Sequence, residues 1–131
     1  MLAVTRYPQE YVKACRKRVD EQLAAYAALA KAAPAEAAWF EPLFCSTLVL
    51  ALEASFVHRT RGMEGKDGNP LNEVRMLCTS ILQNDGHLAA DKTVKYDPAK
   101  SVLKLPVGAQ IELKAADVKR LAKAFFDEIG R

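Results

Sequence analysis

"LFCSTLVLALEASFV", Leu43 to Val57, is the stretch on which the fold turns. It holds one charge, Glu53, and its apolar residues fall on nearly every side of a helix drawn through it. A helix of that kind touches neighbours on most of its faces, so it is the expected central element. It should open around Trp39 to Pro42 and run to Arg61, with Gly62 as its stop.

Helices are expected on both sides of it. Upstream, proline and two polar residues at Pro8, Gln9 and Glu10 suit a helix start. Val12, Cys15, Val19, Leu23, Tyr26 and Ala30 then recur at helical spacing, and Pro34 reads as the end. Downstream, "NPLNEVRMLCTSILQNDG" has the clearest start in the chain. Asn69 is a good N-cap, Pro70 fits the first helical position, and Glu73 brings a carboxylate to the first turn. Leu71, Val74, Cys78, Ile81 and Leu82 form its apolar face, and Asn84 to Gly86 close it. The last helix spans about Ala115 to Ile129, with Val118, Leu121, Ala122, Phe125 and Ile129 on one side. Leu113 and Val118 are spaced as a hydrophobic staple, although Lys114 is a poor cap.

Between Gly86 and Leu113 the helical period disappears. "KTVKY", "SVLKL" and "AQIEL" alternate roughly as strands do, and "DPAK" between the first two is a turn whose aspartate can bond its own backbone. The expected fold is therefore mainly α: a single domain, 1–131, built as a four-helix bundle with a short β-hairpin or extended flap between helices 3 and 4.

Composition narrows the function classes. Of 131 residues, 50 % are hydrophobic, enough for a core at this size. Lysine and arginine number 19 against 16 acids, a net charge of +3 too weak and mixed to imply nucleic acid. The basic run Lys13 to Arg18 lacks interleaved aromatics and reads as a solvated helix face. No run approaches the roughly 18 consecutive apolar residues of a membrane span, and "MLAVTRYPQEY" has no signal-peptide core. A cytoplasmic protein with neither nucleic-acid nor membrane partner is expected. Cys15, Cys45 and Cys78 are widely spaced and sit at core-facing positions, so free buried thiols are expected rather than disulfides or a zinc site.

The run "HRTRGMEGKDGNPLNEVR", His58 to Arg75, follows the apolar helix and carries the candidate ligand residues. A glycine-rich turn leads into a helix N-terminus, whose amides can form an anion site. His58, Arg59, Arg61, Lys66, Asn69, Asn72 and Arg75 could line it. The spacing is neither that of a P-loop nor of a dinucleotide fingerprint. Glu53 is costly if buried alone, and an antiparallel pairing of the second and third helices suggests a buried Glu53–Arg75 pair. His58 and His87 fit no metal motif, no serine or cysteine has a catalytic context, and no cofactor is implied.

Three readings follow. The first is a small module recognising an anionic small molecule at the Arg59–Glu73 corner. The second is a structural or interaction protein, with homodimerisation or partner binding on an apolar helix face; the Trp39, Phe40, Leu43, Phe44 cluster marks such a face, and a twofold homodimer is the expected assembly. The third is a cofactor-free enzyme using Glu53 or His58 for proton transfer, ranked last because no catalytic constellation is visible.

Overall fold

The apolar stretch does become a helix that reaches three others. In a computed structural model, which describes residues 3–131, five helices are present: α1 (Gln9–Ala32), α2 (Pro34–Ser55), α3 (Arg61–Glu64), α4 (Pro70–Gln83) and α5 (Ala115–Ile129). The protein is mainly helical, and four of these helices are long. α2 packs against α1, α4 and α5; α5 also packs against α1 and α4. The core between them is built from Cys45, Val49, Leu52, Leu71, Leu77 and Phe125, among others.

α2 differs from expectation at both ends. It starts at Pro34, eight residues before Pro42, because Pro34, besides ending α1 as expected, occupies the first position of a new helix. Only Ala33 separates α1 from α2, and its φ of −142° and ψ of 72° turn the chain. Pro42 then lies inside α2. Tyr26 clamps the α1–α2 turn: its hydroxyl donates to the Ala37 carbonyl at 2.7 Å and its ring stacks on Phe44. At the other end α2 stops at Ser55, not Arg61. Phe56 leaves the helix and is fully buried, with rings of Tyr7, Tyr11, Phe125 and Phe126 around it at centroid distances of 4.9 to 6.0 Å. Burying that ring is worth more than carrying the helix on through exposed Val57 and His58. Gly62 is consequently not a stop; it lies in α3, which Thr60 caps and Gly65 ends at φ 66°.

α4 and α5 fall where the sequence places them. Asn69 Oδ1 accepts from the Leu71 and Asn72 amides, as a good N-cap should. The weak cap at Lys114 is compensated twice. Asp117 accepts from the Lys114 amide, and Glu41 reaches across from α2 to accept from the Ala115 amide at 2.8 Å. Leu113 and Val118 are both buried.

The expected β-hairpin between α4 and α5 does not form. Among the described residues there are isolated bridges only, and none joins "KTVKY" to "SVLKL". The reason is where the amides go. Glu73, buried in α4, accepts from Val102 N–H at 2.8 Å and Leu103 N–H at 3.0 Å, one per carboxylate oxygen. Lys104 then takes φ 57° and donates its amide to Ser101 Oγ. Those amides cannot also serve a partner strand. The segment instead runs as extended coil with a 3-10 turn at Pro98–Lys100, where Asp97 accepts from the Ala99 amide. Its two ends are tied together by Leu88 and Ile111 amides donating to Ala109 and Gly86 carbonyls. Burial pushes the Glu73 carboxyl above the usual glutamate range, while the Leu103 and Val102 amides pull it down. Glu73→Gln keeps one acceptor oxygen and leaves one amide unsatisfied. A loss of about 1–3 kcal/mol in urea unfolding is expected, with earlier amide exchange at Val102 or Leu103. Unchanged stability would show that the clamp contributes nothing.

Candidate functional site

The tight turn after Ser55 folds Arg59 back under the end of α2 rather than out to solvent. The N-terminal arm fixes it there: Val4 donates its amide to the His58 carbonyl and accepts from the Thr60 amide. The Arg59 side chain is 1 % exposed. Its guanidinium lies 3.0 Å from Glu53 Oε1 and 3.1 Å from Glu64 Oε2. It also donates to the Phe56 and Leu71 carbonyls, and it sits 5.7 Å over the Phe125 ring. One arginine thus joins the ends of α2 and α3, the start of α4 and the face of α5.

The expected Glu53–Arg75 pair is replaced. Arg59 takes Glu53, because the turn at 56–58 carries it directly beneath α2's last turn. Arg75, one turn into α4, faces α3 and the following loop, where it meets Glu64 at 3.4 Å and Asp91 at 3.6 Å. Three carboxylates therefore face two guanidiniums, an excess of one negative charge. The pairs are close, but Arg59 Nε and Glu53 Oε1 are not aligned for hydrogen bonds, and the nearby Tyr7 hydroxyl is buried with no hydrogen-bond partner among the described residues. Burial, opposed by the Arg59 guanidinium, pushes the Glu53 carboxyl above its ordinary value. Two hydrogen bonds from Thr93 hold the Asp91 carboxyl below its own.

The sign of the Glu53 effect can be tested. A carboxyl raised in the folded state binds more protons folded than unfolded, so its stabilising contribution is complete below the unfolded value and lost as pH rises through the raised one. Glu53→Gln resembles the protonated form and keeps an acceptor for Arg59. The variant should match or exceed the parent near pH 7, within about 1 kcal/mol, and the parent should gain on it as acid is added. The window to compare runs from neutrality down to the ordinary glutamate value of 4.5. Paired urea titrations at both ends check this; a Gln variant several kcal/mol weaker at neutral pH would contradict it.

The other expected ligand residues separate. His58 is exposed, and its carbonyl accepts from the Val4 amide. Arg61 is exposed and reaches Thr93 Oγ1 at 3.4 Å. Lys66 is exposed, and its carbonyl accepts from the Lys95 amide. Asn69 is spent on capping α4, and its side-chain amide donates to Glu64 O and Asp67 Oδ1. Asn72 is fully buried, its side-chain amide shared among the Glu64, Gly65 and Asp67 carbonyls. Of the seven, Arg59 and Arg75 meet through the Glu64 carboxylate, and Asn69 and Asn72 meet at the α4 cap and the Glu64 carbonyl; His58, Arg61 and Lys66 stand apart on the surface. The first turn of α4 has little left for an anion. Pro70 has no N–H, Leu71 and Asn72 donate to Asn69 Oδ1, and Glu73 donates to the Asn69 carbonyl.

Sequence reasoning passed over Glu64 and Asp91, because Glu64 stands in a glycine-bounded turn and Asp91 in an irregular segment. The cysteines are buried and free, with thiols pushed by burial to about 11 at Cys45 and about 12 at Cys78, so neither is a thiolate at neutral pH. Among the described residues no group of three His, Cys, Asp or Glu is placed to hold a metal ion.

A second region is of another kind. At the tip of the α1–α2 pair, Trp39 is 74 % exposed, with Leu43 at 52 % and Leu29 at 47 %. Phe40 completes the patch. A shallow hollow of about 650 Å³ opens beside it, lined by Leu29, Ala35, Glu36, Trp39 and Phe40. Further along, Leu82 on α4 is 68 % exposed. By length and hydropathy α2 is also a helix that could cross a membrane. No protein-family model, curated protein or solved structure matches this chain.

Proposed function

We propose that the protein is a four-helix interaction module that works by self-association through the α1–α2 tip. The observation that carries this is Trp39, an indole three-quarters exposed within a cluster of other large apolar side chains. Single exposed apolar residues are ordinary, but a contiguous aromatic and aliphatic patch marks a contact surface. A second copy is the occupant we favour. The patch carries one charge, Glu36, so it presents little to select a charged partner. It also offers a knob, Trp39, beside a hollow, which is what a twofold contact needs for each copy to fill the other. The Arg59 cluster is read as a latch that holds the base of the fold. The anionic-ligand reading loses the α4 amides it relied on, and the proton-transfer reading leaves Glu53 occupied by Arg59.

A cytoplasmic setting is part of this proposal. Glu53, near the end of α2, is spent on Arg59 rather than on solvent. Sedimentation equilibrium of the whole chain should give a concentration-dependent monomer–dimer equilibrium. A monomer at every concentration, or co-sedimentation with phosphatidylcholine vesicles, would overturn the reading.

A further inference from the structure

α1 and α5 run antiparallel along another side of the molecule. Residues 12–16 of α1 lie against 126–131, and 20–27 against 115–119, with a chain of hollows along the seam. The middle hollow measures about 320 Å³. The floor is apolar, formed by Val12, Leu23, Phe126 and Ile129, with Ala24 and Ala116 leaving room at one end. The walls are basic along the middle hollow and the one beside Arg6; the third is lined by Asp20 and Lys119 among alanines and Leu23. Arg6, Lys13 and Arg16 line one side; Lys119, Arg120, Lys123 and Arg131 line the other. Asp20 is the one carboxylate in the lining.

Seven cations to one acid is far from the 19 to 16 of the whole chain. Part of this charge is answered from just outside the groove. Asp127 meets Arg16 and Lys123, Asp117 meets Arg120, and Glu128 meets Arg131. Among the described residues, Arg6, Lys13 and Lys119 have no carboxylate within 4.0 Å. Arg16 also lies 5.5 Å over the Phe126 ring, so the floor and the walls meet at one residue.

We propose that this seam docks an acidic amphipathic helix from a partner protein. From Val12 to Ala27 the seam runs for about 22 Å, roughly four helical turns. An apolar stripe at helical spacing would lie on the floor, and Asp or Glu on both flanks would face the two basic walls. Each part of the surface selects against an alternative. Nucleic acid needs the cations and leaves the apolar floor unused. A flat anionic bilayer meets the walls before the floor. An uncharged helix leaves three unanswered cations at the rim.

The test uses a fluorescent peptide of roughly four turns with leucines on one face and glutamates on its flanks. Its scrambled form keeps the charge and loses the stripe. Binding to the whole chain is read by anisotropy. The striped peptide should bind, the scramble should bind roughly tenfold more weakly or not at all, and added salt should weaken the complex. Lys13→Glu with Lys119→Glu, both exposed, should weaken it by about tenfold while melting temperature and self-association stay unchanged. Ala24→Phe, which raises the floor, should do the same without changing the charge. Equal binding of both peptides would overturn the proposal, as would indifference to these substitutions. Tighter binding of duplex DNA or of phosphatidylglycerol vesicles than of the striped peptide would overturn it in favour of those surfaces.

Discussion

Replacing Arg59 with methionine should cost about 3–5 kcal/mol, the largest loss expected from any single polar change in the molecule. Methionine can follow the path of the arginine stem, so little packing volume is lost. What disappears is the cation between Glu53 and Glu64, together with two donors to the Phe56 and Leu71 carbonyls. Two buried carboxylates are then left close together with only Arg75 to balance Glu64. A domain this size has roughly 5–15 kcal/mol in hand, so the variant should stand near its folding threshold. The loss should shrink under acid, because the unpaired carboxyls take up protons in the folded state. It should also shrink in the Arg59→Met, Glu64→Gln double variant, since partners in one network do not add. Urea unfolding across that set decides the matter. A loss under about 1 kcal/mol would mean the cluster fixes geometry without stabilising it.

Trp39→Asp should leave each protomer as stable as before and abolish its association. The indole is mostly in water already, so folding loses little, within about 0.5 kcal/mol. In a dimer the same ring would sit in its partner's hollow, where central tryptophans contribute about 2–4 kcal/mol each. Both copies change at once in a twofold contact, and the new carboxylates are brought together. Weakening of at least about a thousandfold is expected by sedimentation equilibrium. Leu82→Asp lies on another part of the α2–α4 surface and should change association less. If Trp39→Asp associates as the parent does, the α1–α2 tip is not the interface.

Much of the fold can be read from the chain because three helices announce themselves by local chemistry. Asn69 and Pro70 start α4 whatever surrounds them, and the stripes of α1 and α5 have one strong period. The errors all involve a residue whose role is set by something distant. Pro34 reads as the end of α1 but also starts α2, and the Tyr26 bond to Ala37 holds that second helix against the first. Ser55 ends α2 because Phe56 is drawn to rings from Tyr7, Phe125 and Phe126, far away in sequence. "SVLKL" alternates as a strand should, yet Glu73 claims its amides. The charged cluster was legible in part: a buried Glu53 demands a cation, but the choice between Arg59 and Arg75 depends on that same turn at Phe56. The basic seam between α1 and α5 was hidden because its walls come from opposite ends of the chain.

The single residue between α1 and α2 has a consequence for assembly errors. Were Ala33 to turn helical, the two helices would fuse into one rod of about 70 Å, and α1 could pack on a neighbour's core in place of its own. Pro34 opposes this directly. It disfavours helical dihedrals at Ala33, and its ring would clash with the Ala30 carbonyl in a continuous helix. The proline that looks like punctuation is thus a guard against runaway domain exchange, holding the hairpin shut while the rest of the chain arrives.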